Sequence, residues 1–298
     1  MDGWIRNGFP TARRRFWVFS DLQQSDPDNA RHCMTTGVED FLSLGIAVDA
    51  VCYLGDSTEG ACLPHLREMS DMQVEALSRV DAPVYYAMGN HEFDYFRDSD
   101  RASVRIPIRE RILGEPQWHT TAGVRDWLLT ADFGDVALCL LSDHADPSGA
   151  WFTTHGVIRG LAEGAPDPHG DEPLAVRARI AALDKPVFTM SHYAFPGGNR
   201  PSPLQARMLP LPPNVVAHFY GHSHIGDAIW GKEKLWRQVS GIDDARLEQF
   251  DIASLENRRG SAVRSAILEW YGDERFGVFF RNHTAGEWER IHLSLRRP

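Results

Sequence analysis

The chain has 298 residues, 43% of them hydrophobic, with 31 Lys and Arg against 41 Asp and Glu, a formal charge of −10. That length can bury a sizeable core in one domain, and no apolar run reaches the roughly 18 residues that a membrane span needs. The acidic balance disfavours a nucleic-acid polymer as partner, and no basic cluster interleaved with aromatics offsets it.

The basic patch Arg13-Arg14-Arg15 follows no apolar segment or small-residue cleavage site, so no secretory signal is read and a cytoplasmic location is expected. Arg15–Ser20 reads as a buried strand, 29–44 as a helix, Val48–Leu54 as a second strand, 67–80 as a helix and Pro83–Met88 as a third strand. This alternation predicts parallel βαβ units. Residues 94–185 are less regular, with strand candidates at Asp126–Ala131 and Val136–Ser142 and a Gly/Pro/His-rich stretch at 160–170. A helix is predicted at 172–183. An irregular insertion of this length suits substrate contacts or a lid. Strands resume at Val187–Ser191 and Val215–Tyr220, and four more are read at Lys234–Ser240, Val263–Tyr271, Phe276–Arg281 and Trp288–Leu295, expected to be antiparallel. The expected organisation is one domain over 1–298, closed by strands at about 225–295. Cys33, Cys52, Cys62 and Cys139 lack CxxC spacing and are expected to be reduced thiols.

Five motifs punctuate these elements: Asp21-Leu22-Gln23, Gly55-Asp56, Gly89-Asn90-His91-Glu92, His192, and Gly221-His222-Ser223-His224. Each begins where a predicted strand ends, which is where open α/β sheets place ligand sites. Taken singly, each has an ordinary structural reading as a helix cap, a turn or a solvated loop histidine. Together they supply carboxylates, amide oxygens and imidazoles suited to two divalent metals acting on a phosphate ester. Residues two apart in an extended segment point the same way, so Asp21 and Gln23 converge, as do His222 and His224. Gly89 is read as permitting a tight turn that aims Asn90 inward. The expected sets are Asp21, Gln23, His224 and a shared Asp56 for the first metal, and Asp56, Asn90, His192 and His222 for the second.

The ordered motifs resemble the calcineurin-like metallophosphoesterase superfamily over Asp21–His224. The resemblance implies an α/β fold of two packed β-sheets flanked by helices, a four-layer αββα sandwich. It also implies in-line attack on phosphorus by a metal-bridging hydroxide. Asp56, Asn90 and His91 are then the catalytic residues, with His91 stabilising the transition state or protonating the leaving group and Glu92 orienting its imidazole. Gln23 stands where most members carry histidine. An amide oxygen is a harder ligand than imidazole, so two ions with Mn²⁺ preferred over Fe²⁺, Mg²⁺ or Zn²⁺ are expected. The D-x-Q pattern is similar to that of manganese-dependent ADP-ribose/CDP-alcohol diphosphatases, with Gln24 and the more remote His32 as alternative ligands.

The expected activity is hydrolysis of a small nucleotide-like phosphodiester or diphosphate. The alternatives are a phosphomonoesterase on the same site and a binding scaffold without turnover. Arg200, after Pro196-Gly197-Gly198, is a candidate phosphate clamp, and Tyr193 a candidate base-stacking residue whose ordinary reading is core packing. His144 and His155 read as solvated loop histidines. No GxSxG occurs and Cys62 has no base at motif spacing, so a serine or cysteine nucleophile has little support. Oligomeric state has no signature.

Overall fold

The computed structural model describes residues 11–59, 63–92, 107–112, 114–120, 128–141, 151–152, 158–159, 172–199, 201–230, 232, 237–242, 245–258 and 260–295. Its centre is a seven-stranded sheet: β1 (Arg14–Phe19), β2 (Ala50–Tyr53), β3 (Val84–Tyr86) and β4 (Trp118–Thr120) run parallel, and β13 (Arg264–Gly272), β14 (Arg275–Asn282) and β15 (Glu287–Leu295) continue it antiparallel beyond β1. A six-stranded sheet packs on it, built from β5 (Leu128–Asp132), β6 (Ala137–Leu141), β9 (Val187–Ser191), β10 (Val215–Tyr220), β11 (Arg237–Ile242) and β12 (Ala245–Asp251). A two-residue pair, β7 (Trp151–Phe152) with β8 (Ile158–Arg159), stands apart from both sheets.

The side-chain period of two explains why these strands read as unbroken apolar runs. In β1, Phe16 and Val18 enter the layer between the sheets, whereas Trp17 and Phe19 face the helices. In β2, Ala50 and Cys52 point inward and Val51 and Tyr53 outward. The outward set packs under α1 (Pro27–Ser43) and α2 (Leu63–Leu77), with the short α3 (Pro107–Ile112) beside them. On the far side, Cys139 and Val187 pack against Val176 and Ile180 of α4 (Glu172–Ala181), while the short α5 (Pro203–Ala206) precedes β10. Helix, sheet, sheet, helix is the expected four-layer order.

Local signals account for the boundaries. Asp26 caps α1 by accepting from Asn29 N at 3.3 Å, with Pro27 in the first turn, so the helix starts two residues before the expected position. Its buried face, Ala30, Cys33, Met34, Gly37, Val38 and Phe41, has the spacing of an amphipathic helix. Six described elements lie outside the expected ones: α3, β4, β7, β8, α5 and β12. The last is also a correction, because β12 lies parallel to β10 in a region read as wholly antiparallel, although it pairs antiparallel with β11. Its residues Ala245–Asp251 (ARLEQFD) carry four ionisable or amide side chains and mask the strand pattern. Cys33, Cys52 and Cys139 are buried and free, as expected, while Cys62 lies outside the described residues. No described helix is long and apolar enough to cross a membrane.

His218, wholly buried in β10, lies 3.0 Å through Nδ1 from Thr189 Oγ1 and 2.9 Å through Nε2 from Tyr193 O. Burial pushes its pKa down to about 4. The ring is therefore neutral when folded, and unfolding takes up a proton once the pH drops below the free-histidine value near ~6.5. Its contribution is complete above that value and is lost as the pH falls towards 4. Over that window the wild-type unfolding free energy should fall by about 3 kcal/mol relative to His218→Gln, measured by urea titrations at several pH values.

Candidate metal centre

Every motif leaves the carboxyl end of a strand: Asp21 after β1, Asp56 after β2, Asn90 after β3, His192 after β9 and His222 after β10. The loops are knitted by their own backbone, with Asp21 N donating to Gly55 O and Gln23 N to Asp56 O, both at 2.9 Å. The ligand atoms gather in two buried groups that share one residue: Asp21, Asp56 and His224, and Asp56, His192 and His222. The carboxylates and imidazoles of four separate motifs, His192 among them, are thus brought together as two such groups.

Each carboxylate spends one oxygen on the fold and presents the other. Asp21 Oδ2 accepts from His222 N at 2.8 Å, and Asp56 Oδ1 accepts from His91 N at 2.8 Å. Asp21 Oδ1 lies 3.1 Å from His224 Nε2 and Asp56 Oδ2 lies 3.0 Å from His192 Nε2, yet among the described residues neither oxygen receives a hydrogen bond. Gln23 Oε1 is likewise buried without a donor. Buried acceptors are ordinarily satisfied, so two of them set against imidazole nitrogens, with Gln23 Oε1 a third left without a donor, fit cations. His192 Nδ1 lies 2.8 Å from Leu54 O, which makes it the protonated nitrogen and leaves the Nε2 lone pair to the site. Asn90 Oδ1 is 3.2 Å from that same Nε2. Carboxylate, amide and imidazole donors in this ratio suit Mn²⁺ or Fe²⁺ as well as Zn²⁺.

The electrostatics agree. Burial would raise the Asp56 carboxyl, but the imidazoles of His192, His91 and His222 hold it well below the usual range. Burial opposes charge on His192 and His224 too, and the carboxylates overcome it: Asp56 and Asp21 carry His192 to about 10, and Asp21 with Glu256 carries His224 to about 9. Such a field attracts positive charge, so protons and metal ions compete for the same nitrogens.

Five non-glycine motif residues hold left-handed backbone: Asp21 (φ 55°), Gln23 (34°), Asp56 (53°), His222 (65°) and His224 (46°). Such conformations cost on the order of 1–3 kcal/mol each and persist where the surroundings over-determine them. Gly89 has a different reason from the one expected. Its φ is not positive; a Cβ there would collide with Asp56 Oδ1 and Asp56 N. A Cβ at Gly221 would likewise meet Asp21 Oδ2 and Ser20.

The remaining expectations divide. Glu92 is buried and accepts from Asp56 N (3.1 Å), Ser57 N (2.6 Å), Gly89 N (2.6 Å) and Tyr86 OH (2.7 Å). It clamps the Asp56 and Asn90 loops together. Burial and then the Asp56 charge push its pKa up. Tyr193 is 3% exposed and its hydroxyl donates to Asn90 Oδ1 at 3.1 Å, so it holds the Asn90 side chain and is too buried to stack on a base. Gln24 turns away, accepting from Asn29 Nδ2 at 2.8 Å, and His32 is exposed on α1. Arg200, His144 and His155 lie outside the described residues. Motif reading missed Glu256, whose Oε1 is 2.6 Å from His224 Nδ1, because it follows His224 by 32 residues with no motif around it.

A second constellation has the form of a hydrolase triad. Ser265 Oγ is 2.6 Å from His283 Nε2, and His283 Nδ1 is 2.7 Å from Asp40 Oδ2. Ser265 is wholly buried and also accepts from Trp17 Nε1 at 2.8 Å, so no substrate reaches it and the chain of bonds is structural.

Two adjacent cation positions sharing one carboxylate, at the strand ends of a double-sheet sandwich, define the class of metal-dependent phosphoric ester hydrolases. The chain belongs to the calcineurin-like phosphoesterase family, whose model matches residues 14–226. Among solved structures it is similar to the purple acid phosphatase PPD1 of yellow lupin at 12% identity and a TM-score of 0.51, covering 94% of this chain and 53% of that one. The chain thus spans about half the length of the lupin enzyme. It is also similar to TT1561 of Thermus thermophilus, at 12% identity, a TM-score of 0.45 and coverage of 95% and 99%. A phosphatase from Mycoplasma pneumoniae matches at 12% identity, a TM-score of 0.39 and coverage of 96% and 94%. No curated protein matches the chain.

Proposed function

We propose that this protein is a cytoplasmic, single-domain phosphodiesterase that uses two divalent cations, Mn²⁺ by preference, to hydrolyse a small nucleotide-like phosphodiester or diphosphate. The observation that carries the reading is the pair of ligand groups joined through Asp56. Asp21, Gln23, Asp56 and His224 would hold one ion, and Asp56, Asn90, His192 and His222 the other. When bound, such a pair supplies Lewis acidity towards the phosphoryl oxygens and a water nucleophile at neutral pH.

The chain's own groups supply the rest. Water adds to phosphorus, the bond to the leaving oxygen breaks, and that oxygen takes a proton from His91. His91 suits the task because its main chain is pinned to Asp56 while the residue is only half-buried. The two amide ligands, Gln23 and Asn90, support the preference for a harder ion. The formal charge of −10 supports a small substrate over a polymer.

The test is hydrolysis of bis(p-nitrophenyl) phosphate beside p-nitrophenyl phosphate by metal-stripped protein reloaded with Mn²⁺, Zn²⁺, Mg²⁺ or Fe²⁺. Mn²⁺ should restore diester cleavage best, and His91→Ala should lower it by about 10²–10⁴-fold. Preference for the monoester would make the enzyme a phosphatase. Tight binding of two ions without turnover would make it a scaffold.

A further inference from the structure

The segment after β12 lies beyond the family-matched residues, yet it closes one half of the site. Ile252 N donates to Tyr220 O (3.0 Å), Leu255 N to Ser20 O (3.0 Å) and Glu256 N to Asp21 O (3.1 Å). The segment therefore runs between the ends of β10 and β1, alongside the two loops that carry Asp21 and His224. At its end the wholly buried Glu256 meets His224 Nδ1 with one carboxylate oxygen. Arg258 then spreads one guanidinium over three acceptors: Nε to Glu256 Oε2 at 3.0 Å, Nη1 to Glu59, and Nη2 to the main-chain carbonyl of Gln23.

These contacts fall on one side of the centre. His224 belongs to the first position and not to the second, the proposed assignment puts Gln23 with it, and none of these Arg258 bonds reaches Asn90, His192 or His222. Gln23 holds a left-handed backbone and its side-chain oxygen is buried without a donor, so fixing its carbonyl fixes the residue in that conformation. A planar guanidinium can satisfy three acceptors at fixed angles; an ammonium on a flexible stem cannot hold the same fork. Glu256, bonded to the far nitrogen of His224, fixes the ring and raises the basicity of Nε2.

We propose that Glu256 and Arg258 are positioning residues that set the strength of the first cation position and leave the second unchanged. The proposal rests on the metal-dependent reading above. It assigns the two positions unequal support, with the first braced by a segment that the motifs do not include.

The test is calorimetric titration of metal-stripped protein with Mn²⁺ alone, comparing wild type with Arg258→Ala, Arg258→Lys, Glu256→Gln and Gln23→Ala. Wild type should bind two ions. Arg258→Ala should weaken one of them by about 10–100-fold and spare the other. Arg258→Lys keeps the charge without the fork and should fall between, and it serves if the alanine variant does not fold. Glu256→Gln still accepts from Nδ1 but lacks the charge, so its effect should be smaller. Combining Gln23→Ala with Arg258→Ala should cost less than the product of the two, because both act on one ligand. Two ions bound with unchanged affinities in every variant, or both weakened equally, would overturn the positioning role and leave the two-metal site standing. Wild type that binds no Mn²⁺ would overturn both.

Discussion

Asp56→Asn is expected to lower turnover of the diester by at least about 10³-fold, equivalent to about 4 kcal/mol of transition-state stabilisation. Among the described residues, no other side chain serves so many roles. Asp56 is the one residue common to both ligand groups, its Oδ1 anchors the backbone of His91, and its Oδ2 faces His192 without a hydrogen bond. The amide keeps the shape and can still accept from His91 N, so the loss isolates the charge. Mn²⁺ titration should show both ions weakened, in contrast to Gln23→Ala, which touches one. The fold should survive, since Glu92 holds Asp56 N and Ser57 N whatever the side chain. A variant that keeps two tight ions and wild-type turnover would remove Asp56 from the mechanism.

Asp40→Ala should destabilise the protein by about 3–5 kcal/mol, the usual result of removing one member of a buried ion pair. Asp40 sits on α1 and binds Arg281 through both oxygens, each at 2.7 Å, as well as His283. The Arg281 side chain is 2% exposed and that of His283 1%, so neither can turn to water for a replacement. Burial would raise the Asp40 carboxyl, but these partners lower it to about 2. The stability it confers is therefore complete above the free-aspartate value of roughly 4 and is lost as the pH falls towards 2. Urea unfolding of the wild type and the variant at neutral pH measures the difference. A change below ~1 kcal/mol would mean that solvent satisfies Arg281 after all.

What the sequence makes legible here is whatever is local. Trp17 and Phe19 beside Phe16 and Val18 announce a strand buried on both faces, and the Gly-x dipeptides after the next two strands announce the loops that carry Asp56 and Asn90. The ligand groups follow because each motif sits at a strand end. Three features were hidden for physical reasons. β12 carries Glu248 and Gln249 where a buried strand ordinarily shows apolar residues; Gln249 is wholly buried and bonds to Phe195 N and O. Glu256 and Arg258 act on His224 and Gln23 across 32 and 235 positions, and nothing at short range marks such a pairing. Glu92 is adjacent to His91, and the turn sends its carboxylate to three backbone amides of the Asp56 and Asn90 loops, a clamp that adjacency alone does not suggest.

The position of β1 has a consequence for how the protein is made. It is the central strand of the seven-stranded sheet and the first to be synthesised, and its antiparallel neighbour β13 contributes partners such as Ala266 for Val18. At about 5–20 residues per second, roughly 10–50 s separate the emergence of the two strands from the ribosome. Throughout that interval one edge of β1, with Phe16 and Val18 beside it, has nothing to pair with. Chains interrupted before β13 therefore carry a ready template for aggregation.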